Sequence, residues 1–169
     1  MRVPDEFYAQ DVLRAAPALI GKLLCRRLPD GTVLRCRITE TEAYRGQEDT
    51  ACHACHGMTK RTAVMFGPGG LAYVYLCYGL HNLFNIVTGP AGQPQAALLR
   101  GLEGCPGPAR LTKALQIDRE LNGHDLRGSP LLWLEDDGAA PPIKTAPRVG
   151  IGYASAEDQA RLWRFIASR

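Results

Sequence analysis

Two carboxylates, Glu40 and Glu42, end a run from Val33 in which Leu34, Cys36 and Ile38 alternate with Val33, Arg35 and Arg37. If that run is a strand with no bulge, a period of two puts both Glu on its apolar face and delivers them into a cavity at its C-terminal end. Burial there raises a carboxylate's pKa, the usual preparation of a general base. The other reading is that the strand has ended and both Glu are solvated. A second cluster is Cys52-His53-Ala54-Cys55-His56. It could begin a zinc site, but a structural zinc normally needs a second matched pair, and Cys77 and Cys105 are single; a redox dithiol lacks its strand-to-helix context. A third group is aromatic: Tyr73 and Tyr75 share a strand face with Cys77, and Tyr78 sits beside a turn. Tyr stripes on strands are more often core than ligand clamp. No Gly-x-Ser-x-Gly elbow occurs, and Gly67-Pro68-Gly69-Gly70 precedes a strand pattern instead of a helix, so serine hydrolases and phosphate-loop enzymes are disfavoured. What remains, a carboxylate strand, a His loop and an aromatic hairpin, suits an enzyme that extracts a flat base and fills the vacated stack with a wedge.

The elements around these residues read as follows. Asp11 caps a short helix through Leu19 that Pro17 perturbs; Lys22 to Leu28 is a strand, and Pro29-Asp30-Gly31 turns it into Val33 to Glu42. Phe66 to Gly70 is a turn, and Leu71 to Tyr78 and Leu83 to Thr88 are strands flanking Gly79-Leu80-His81-Asn82, a hairpin candidate. Ala96 to Leu102 is a short buried strand near whose end lies Arg100. Pro108 suits the first turn of a helix to about Gln116, whose free amides, with Arg110 and Lys113, would suit a phosphate; packing by Leu111 and Leu115 is the plainer role. Asp136 to Pro147 is loop-like, and Ser155 with Asp158 resembles a capping box opening a helix to about Ile166.

The chain has 169 residues, 46% hydrophobic and 22% charged, without repeats, which is ordinary for one compact domain over 1–169. A net charge of +3 does not by itself announce a nucleic-acid binder. Of the 20 basic residues only Lys22, Lys60, Lys113 and Lys144 are Lys; the Arg excess suits phosphate contacts but also follows from genomic base composition. With no apolar leader or long apolar run, a soluble, cytoplasmic protein is expected, its six Cys reduced, and Cys25, Cys36 and Cys77 packed as small hydrophobes.

Specific strings go further. Ile38-Thr39-Glu40-Thr41-Glu42-Ala43-Tyr44, then Glu48-Asp49 and His53, Met65-Phe66-Gly67-Pro68-Gly69, Tyr73-Val74-Tyr75 with Tyr78-Gly79, Asn85 and Ala97-Leu98-Leu99-Arg100 resemble the alkyladenine (3-methyladenine or methylpurine) DNA glycosylase family. Gly107 to Leu115, Leu132 to Glu135, Arg148-Val149-Gly150-Ile151 and Trp163-Arg164-Phe165 continue the likeness in order over nearly the whole chain. The resemblance implies an α+β fold, a curved, mostly antiparallel sheet with a protruding β-hairpin and flanking short helices. It implies a monofunctional enzyme, needing no cofactor or metal, that hydrolyses the N-glycosidic bond of alkylated or deaminated purines flipped out of duplex DNA, acting as a monomer in base excision repair. Glu42 then matches the general base and Arg100 a residue beside it that helps hold the water. Tyr44, His53 and Tyr75 match the residues that sandwich the base, Asn85 the side chain that excludes normal guanine, and Tyr78 the minor-groove wedge. Lys60, Arg61, Arg110 and Lys113 are expected to contact phosphates. Two departures stand out: Cys52 and Cys55 flank His53, and the chain stops soon after Phe165, so weaker DNA binding is expected. A non-catalytic lesion-binding module and a zinc-dependent DNA module are the rival readings.

Overall fold

The hub of the computed structural model, which describes residues 1–168, is one long strand, β2 (Val33–Arg45). Its first half pairs antiparallel with β1 (Leu23–Arg27), and its second half pairs on one side with β5 (Gln95–Leu102) and on the other with β9 (Arg164–Ala167). Beyond β5 lie β4 (His81–Val87) and β3 (Ala72–Cys77), a hairpin; beyond β1 lies β7 (Leu132–Glu135). The two-residue β6 (Cys105–Pro106) and β8 (Ile143–Ala146) pair with β5 and β9. Among the described residues all strand pairings are antiparallel, and with four short α-helices the fold is α+β, a curled antiparallel sheet.

Three of these helices cover one face. α1 (Asp5–Tyr8) buries Phe7 and Tyr8, and α2 (Val12–Ala18) starts where the Asp11 carboxylate accepts the Leu13 N–H at 2.9 Å. Pro17 is tolerated in the last turn of α2, and the helix ends with Leu19 as C-cap. α3 (Pro108–Ala114) begins with Pro108, whose missing N–H costs nothing at a helix start, and buries Leu111. The Thr112 hydroxyl donates to the Asn82 carbonyl at 2.7 Å and so ties α3 to the base of the hairpin. Buried Arg26 donates to the Leu115 and Gln116 carbonyls at 3.1 and 3.0 Å, closing the end of α3. The main core, with Leu24, Ile38, Phe84, Leu99 and Leu111, lies between these helices and the sheet. Among the described residues no helix is long and apolar enough to cross a membrane.

Four local readings need correction. The hairpin turns through Tyr78, Gly79 and Leu80, not Gly79 to Asn82: Cys77 pairs with His81, and Leu80 N–H reaches the Cys77 carbonyl at 3.0 Å. Tyr78 and Gly79 both take left-handed φ, +52° and +66°, a cost the glycine relieves at one of the two positions. The Ser155 cap is present, its hydroxyl accepting the Asp158 N–H, but α4 (Ala156–Ala160) stops there. Arg164–Ala167 is instead drawn into the sheet against β2, and this creates an edge that part of the supposed loop Asp136 to Pro147 fills as β8. The fourth correction concerns the strand that carries Glu42.

Candidate active site

Along β2 the pairing with β5 runs Ile38 opposite Leu102, Glu40 opposite Gly101 and Thr41 opposite Leu99. Thr39 and Arg100 are therefore extra residues, one on each strand, and the period of two breaks between Ile38 and Thr41. Ile38 packs in the main core, but beyond the break it is Thr41 and Ala43 that face that side, Thr41 donating to the Ala16 carbonyl of α2 at 2.8 Å. Glu42 and Tyr44 thus point to the other face of the sheet, opposite to what uninterrupted alternation predicts. Glu42 is nevertheless fully buried, because the segment around Arg148 and Val149 covers that face.

Paired residues on neighbouring strands share a face, so register alone assembles a row: Glu42 stands across from Leu98, Leu98 from Asn85, and Asn85 from Tyr73. Tyr44 and Tyr75 lie two residues along from Glu42 and Tyr73 and take the same face. The 3-10 turn His53–His56 closes over them, with His53 Nδ1 3.0 Å from the Tyr73 hydroxyl and its ring 4.6 Å, edge to face, from Tyr75. Tyr44, His53, Tyr73, Tyr75 and Asn85, with Ala51, Met65 and Tyr153, line one cleft. Asn85 donates to the Tyr73 carbonyl at 3.1 Å, which leaves its side-chain oxygen as the free end.

Glu42 lies directly behind this wall. Its Oε1 accepts from the Tyr44 hydroxyl at 2.9 Å and its Oε2 from the Val149 N–H at 2.6 Å. Arg100 Nε is 3.8 Å from the same Oε2 and 3.3 Å from Glu40 Oε1, and Glu40 also accepts from Arg164 at 3.1 Å. Each carboxylate oxygen has two lone pairs, so one remains on each after these bonds. Burial raises the Glu42 pKa above the usual carboxylate value, and the Arg100 charge, the Val149 N–H, the Tyr44 hydroxyl and Arg148 offset this only in part. Burial, with Arg61 as a second cause, lowers His53 to about 4, so its ring is neutral at physiological pH. Tyr44 is held protonated by burial and by the Glu42 carboxylate it donates to. Such an arrangement can hold a flat ring among aromatic faces and accept a proton just behind it.

Behind the site sits a buried ion pair that sequence reading gave no role. Arg148 donates to both oxygens of Asp49, at 2.6 and 2.9 Å, and to the Ala43 carbonyl at 2.9 Å, with both charged side chains essentially inaccessible. Its guanidinium lies 4.9 Å from the Tyr44 ring centroid and 5.0 Å from that of Trp163. Sequence reasoning also left out Tyr73, although alternation with Tyr75 marked it, and Tyr153, whose hydroxyl donates to the Ala51 carbonyl at 2.8 Å across the cleft mouth. Val149 contributes a backbone N–H, for which no side-chain signal exists. Cys52 is buried under the cleft, and burial pushes its thiol up to about 12, which makes it unreactive.

The remaining expected residues lie outside the cleft. Tyr78 is 90% exposed at the hairpin tip beside exposed Leu80. Lys60 and Arg61 border a groove with Arg119 on the far side of Tyr75. Arg110 and Lys113 are exposed on α3, and Lys113 lines a groove with Leu80 and His81 at the hairpin base.

A curled sheet with an aromatic cleft, backed by a buried carboxylate and flanked by cations, is the equipment of a hydrolase that handles nucleic-acid bases. The family model for methylpurine-DNA glycosylases matches residues 6–105 and 103–169. A protein of Anaeromyxobacter dehalogenans strain 2CP-1 is 51% identical over 98% of this chain and 81% of its own length, and one of Methanocella arvoryzae 44% identical over 96% and 90%. Another, from Myxococcus xanthus, is 44% identical over 95% and 89%. All three carry the name "Putative 3-methyladenine DNA glycosylase". The chain belongs to the methylpurine-DNA glycosylase family: it is a DNA-repair enzyme acting on the N-glycosidic bond that joins a base to DNA.

Proposed function

We propose that this glycosylase, acting as a monomer, hydrolyses alkylated and deaminated purines that have been flipped out of duplex DNA, with Glu42 as general base. The observation that carries the reading is the carboxylate buried behind an aromatic cleft and bonded to the cleft's own Tyr44. In this scheme Tyr44, His53 and Tyr75 hold the damaged base, and Asn85 obstructs the amino group of normal guanine. Glu42 takes a proton from water as the water oxygen bonds to C1′; the C1′–N bond breaks, and its electron pair leaves with the base. The same anion, with Arg100 orienting the water, stabilises the oxocarbenium-like sugar as the base departs. Tyr78 fills the vacated stack, and Lys60, Arg110 and Lys113 grip phosphates. No Schiff-base step is needed, since none of the four Lys lies among the cleft residues.

The test is release of free base from duplex carrying one alkylated purine or one hypoxanthine, leaving an alkali-labile abasic site. Lesion binding by the folded protein without release would instead identify a damage sensor. Tyr78→Ala should weaken binding to damaged duplex by about 1–3 kcal/mol, the value of one stacked aromatic, while single-turnover release at saturation persists. Unchanged affinity would remove Tyr78 from the wedge role.

The pH profile supplies a further test. Glu42 must be ionised to act as a base, and its pKa is raised, so activity should fall with decreasing pH through a value above the ordinary 4.5. Arg100 opposes that rise, so Arg100→Met should move the acid limb of kcat/KM to still higher pH. A limb that stays put in this variant would detach Arg100 from Glu42 electrostatically.

A further inference from the structure

Tyr75 separates two spaces. On one side it lines the cleft with His53; on the other it lines the groove that contains Lys60, Arg61 and Arg119. Arg61 borders the groove but not the cleft, and its guanidinium carbon lies 5.1 Å from the Tyr75 ring centroid. Among the described residues Arg61 has no carboxylate partner within ion-pair distance, so its charge is not cancelled locally. An aromatic ring attracts cations through its negative face, and here one face is already occupied by a cation.

We infer that Arg61 sets the charge selectivity of the cleft: a guanidinium behind Tyr75 disfavours cationic alkylated purines there relative to neutral damaged purines. The inference rests on the cleft being the seat of the flipped base. A base held in the cleft one stacking distance beyond the Tyr75 ring would put its charge roughly 8–9 Å from the guanidinium, where like-charge repulsion amounts to about twofold in a water-like dielectric and about thirtyfold at an effective value near 20. Arg61 is exposed, so the lower part of that range applies, about threefold to tenfold. The bias has a chemical logic. A cationic purine leaves readily once held, whereas a neutral one departs more slowly and benefits from longer residence.

The experiment compares kcat/KM for release of 7-methylguanine, cationic, and hypoxanthine, neutral, from otherwise identical duplexes. Arg61→Gln should raise the cationic-to-neutral ratio about threefold to tenfold, and Arg61→Lys should hold the ratio near that of the parent. Lys60→Gln, at a proposed phosphate contact, should lower both rates alike. An Arg61→Gln variant that loses activity on both substrates equally, its ratio within twofold of the parent, would overturn the inference and leave Arg61 as a phosphate contact. A second readout needs no activity: the His53 ring, which touches Tyr75 and Tyr73 and feels Arg61, is titrated by NMR in the free protein. Its pKa should rise in Arg61→Gln, and an unmoved value overturns the charge effect by itself. Failure of the parent to release either base would refute the base-excision reading instead.

Discussion

Glu42→Gln should abolish most base release while leaving the protein folded and able to bind damaged duplex. A positioned general base contributes on the order of 10²–10⁴-fold, about 3–5 kcal/mol of barrier, and Glu42 would also lose its anionic support of the sugar. The amide has the same shape, can accept the Val149 N–H and can bond the Tyr44 hydroxyl, so the local hydrogen bonds survive. Stability should move the other way. A carboxyl whose folded-state pKa is raised binds protons more readily in the folded state, so ionising it disfavours folding as pH rises through that pKa. Removing the charge should therefore leave the melting temperature at neutral pH unchanged or higher. Single-turnover release, binding to a lesion-bearing duplex and a thermal melt decide the matter together. Turnover within tenfold of the parent would end the assignment of Glu42 as the base.

Arg148→Met should be the most destabilising substitution around the site. It leaves the Asp49 carboxylate buried without its cation, and removing one partner of a buried pair typically costs about 3–5 kcal/mol. Burial lowers the Arg148 pKa, but the Asp49 hydrogen bonds and charge more than restore it, so the guanidinium is charged wherever the protein is folded. For a chain of this size the loss corresponds to a melting temperature lower by roughly 6–20 °C. Arg148 also holds the Ala43 carbonyl, stacks on Tyr44 and is followed directly by Val149, whose N–H bonds Glu42. Catalysis should fall with stability even where the variant remains folded. The double variant Arg148→Met with Asp49→Leu should recover part of the stability, because no buried charge is then left alone, but not the activity. A single variant melting within about 2 °C of the parent would show that the pair does not hold this corner together.

Local patterning marked most of the elements that build the site. Alternation from Leu34 to Ile38, the Asp11 cap, Pro108 at a helix start and the Tyr73–Tyr75 stripe each correspond to an element found in the fold. Errors came where a segment's partner lies far away. Arg164–Ala167 has the composition of a helix end but becomes a strand because β2 offers it an unpaired edge, and Ile143–Ala146 becomes a strand only because β9 is there. The hairpin turn was displaced because Tyr78 was not expected at positive φ, a position the pairing of Cys77 with His81 imposes.

By itself, the sequence determined which chemistry was present: one strand ending in carboxylates, one loop with a histidine, one aromatic hairpin, and an order of motifs that marks the family. Tertiary structure decided which face the carboxylate takes. The paired extra residues Thr39 and Arg100 belong to two strands, and no local rule fixes such a break, because it arises from matching β2 to β5. That break turns Glu42 from the helix-packed side to the cleft side, and its seclusion there depends on Val149, 107 residues further along the chain. A residue type can specify that a group is able to act as a base, but burial and hydrogen-bond partners set its pKa, and those come from segments that meet only when the chain has folded.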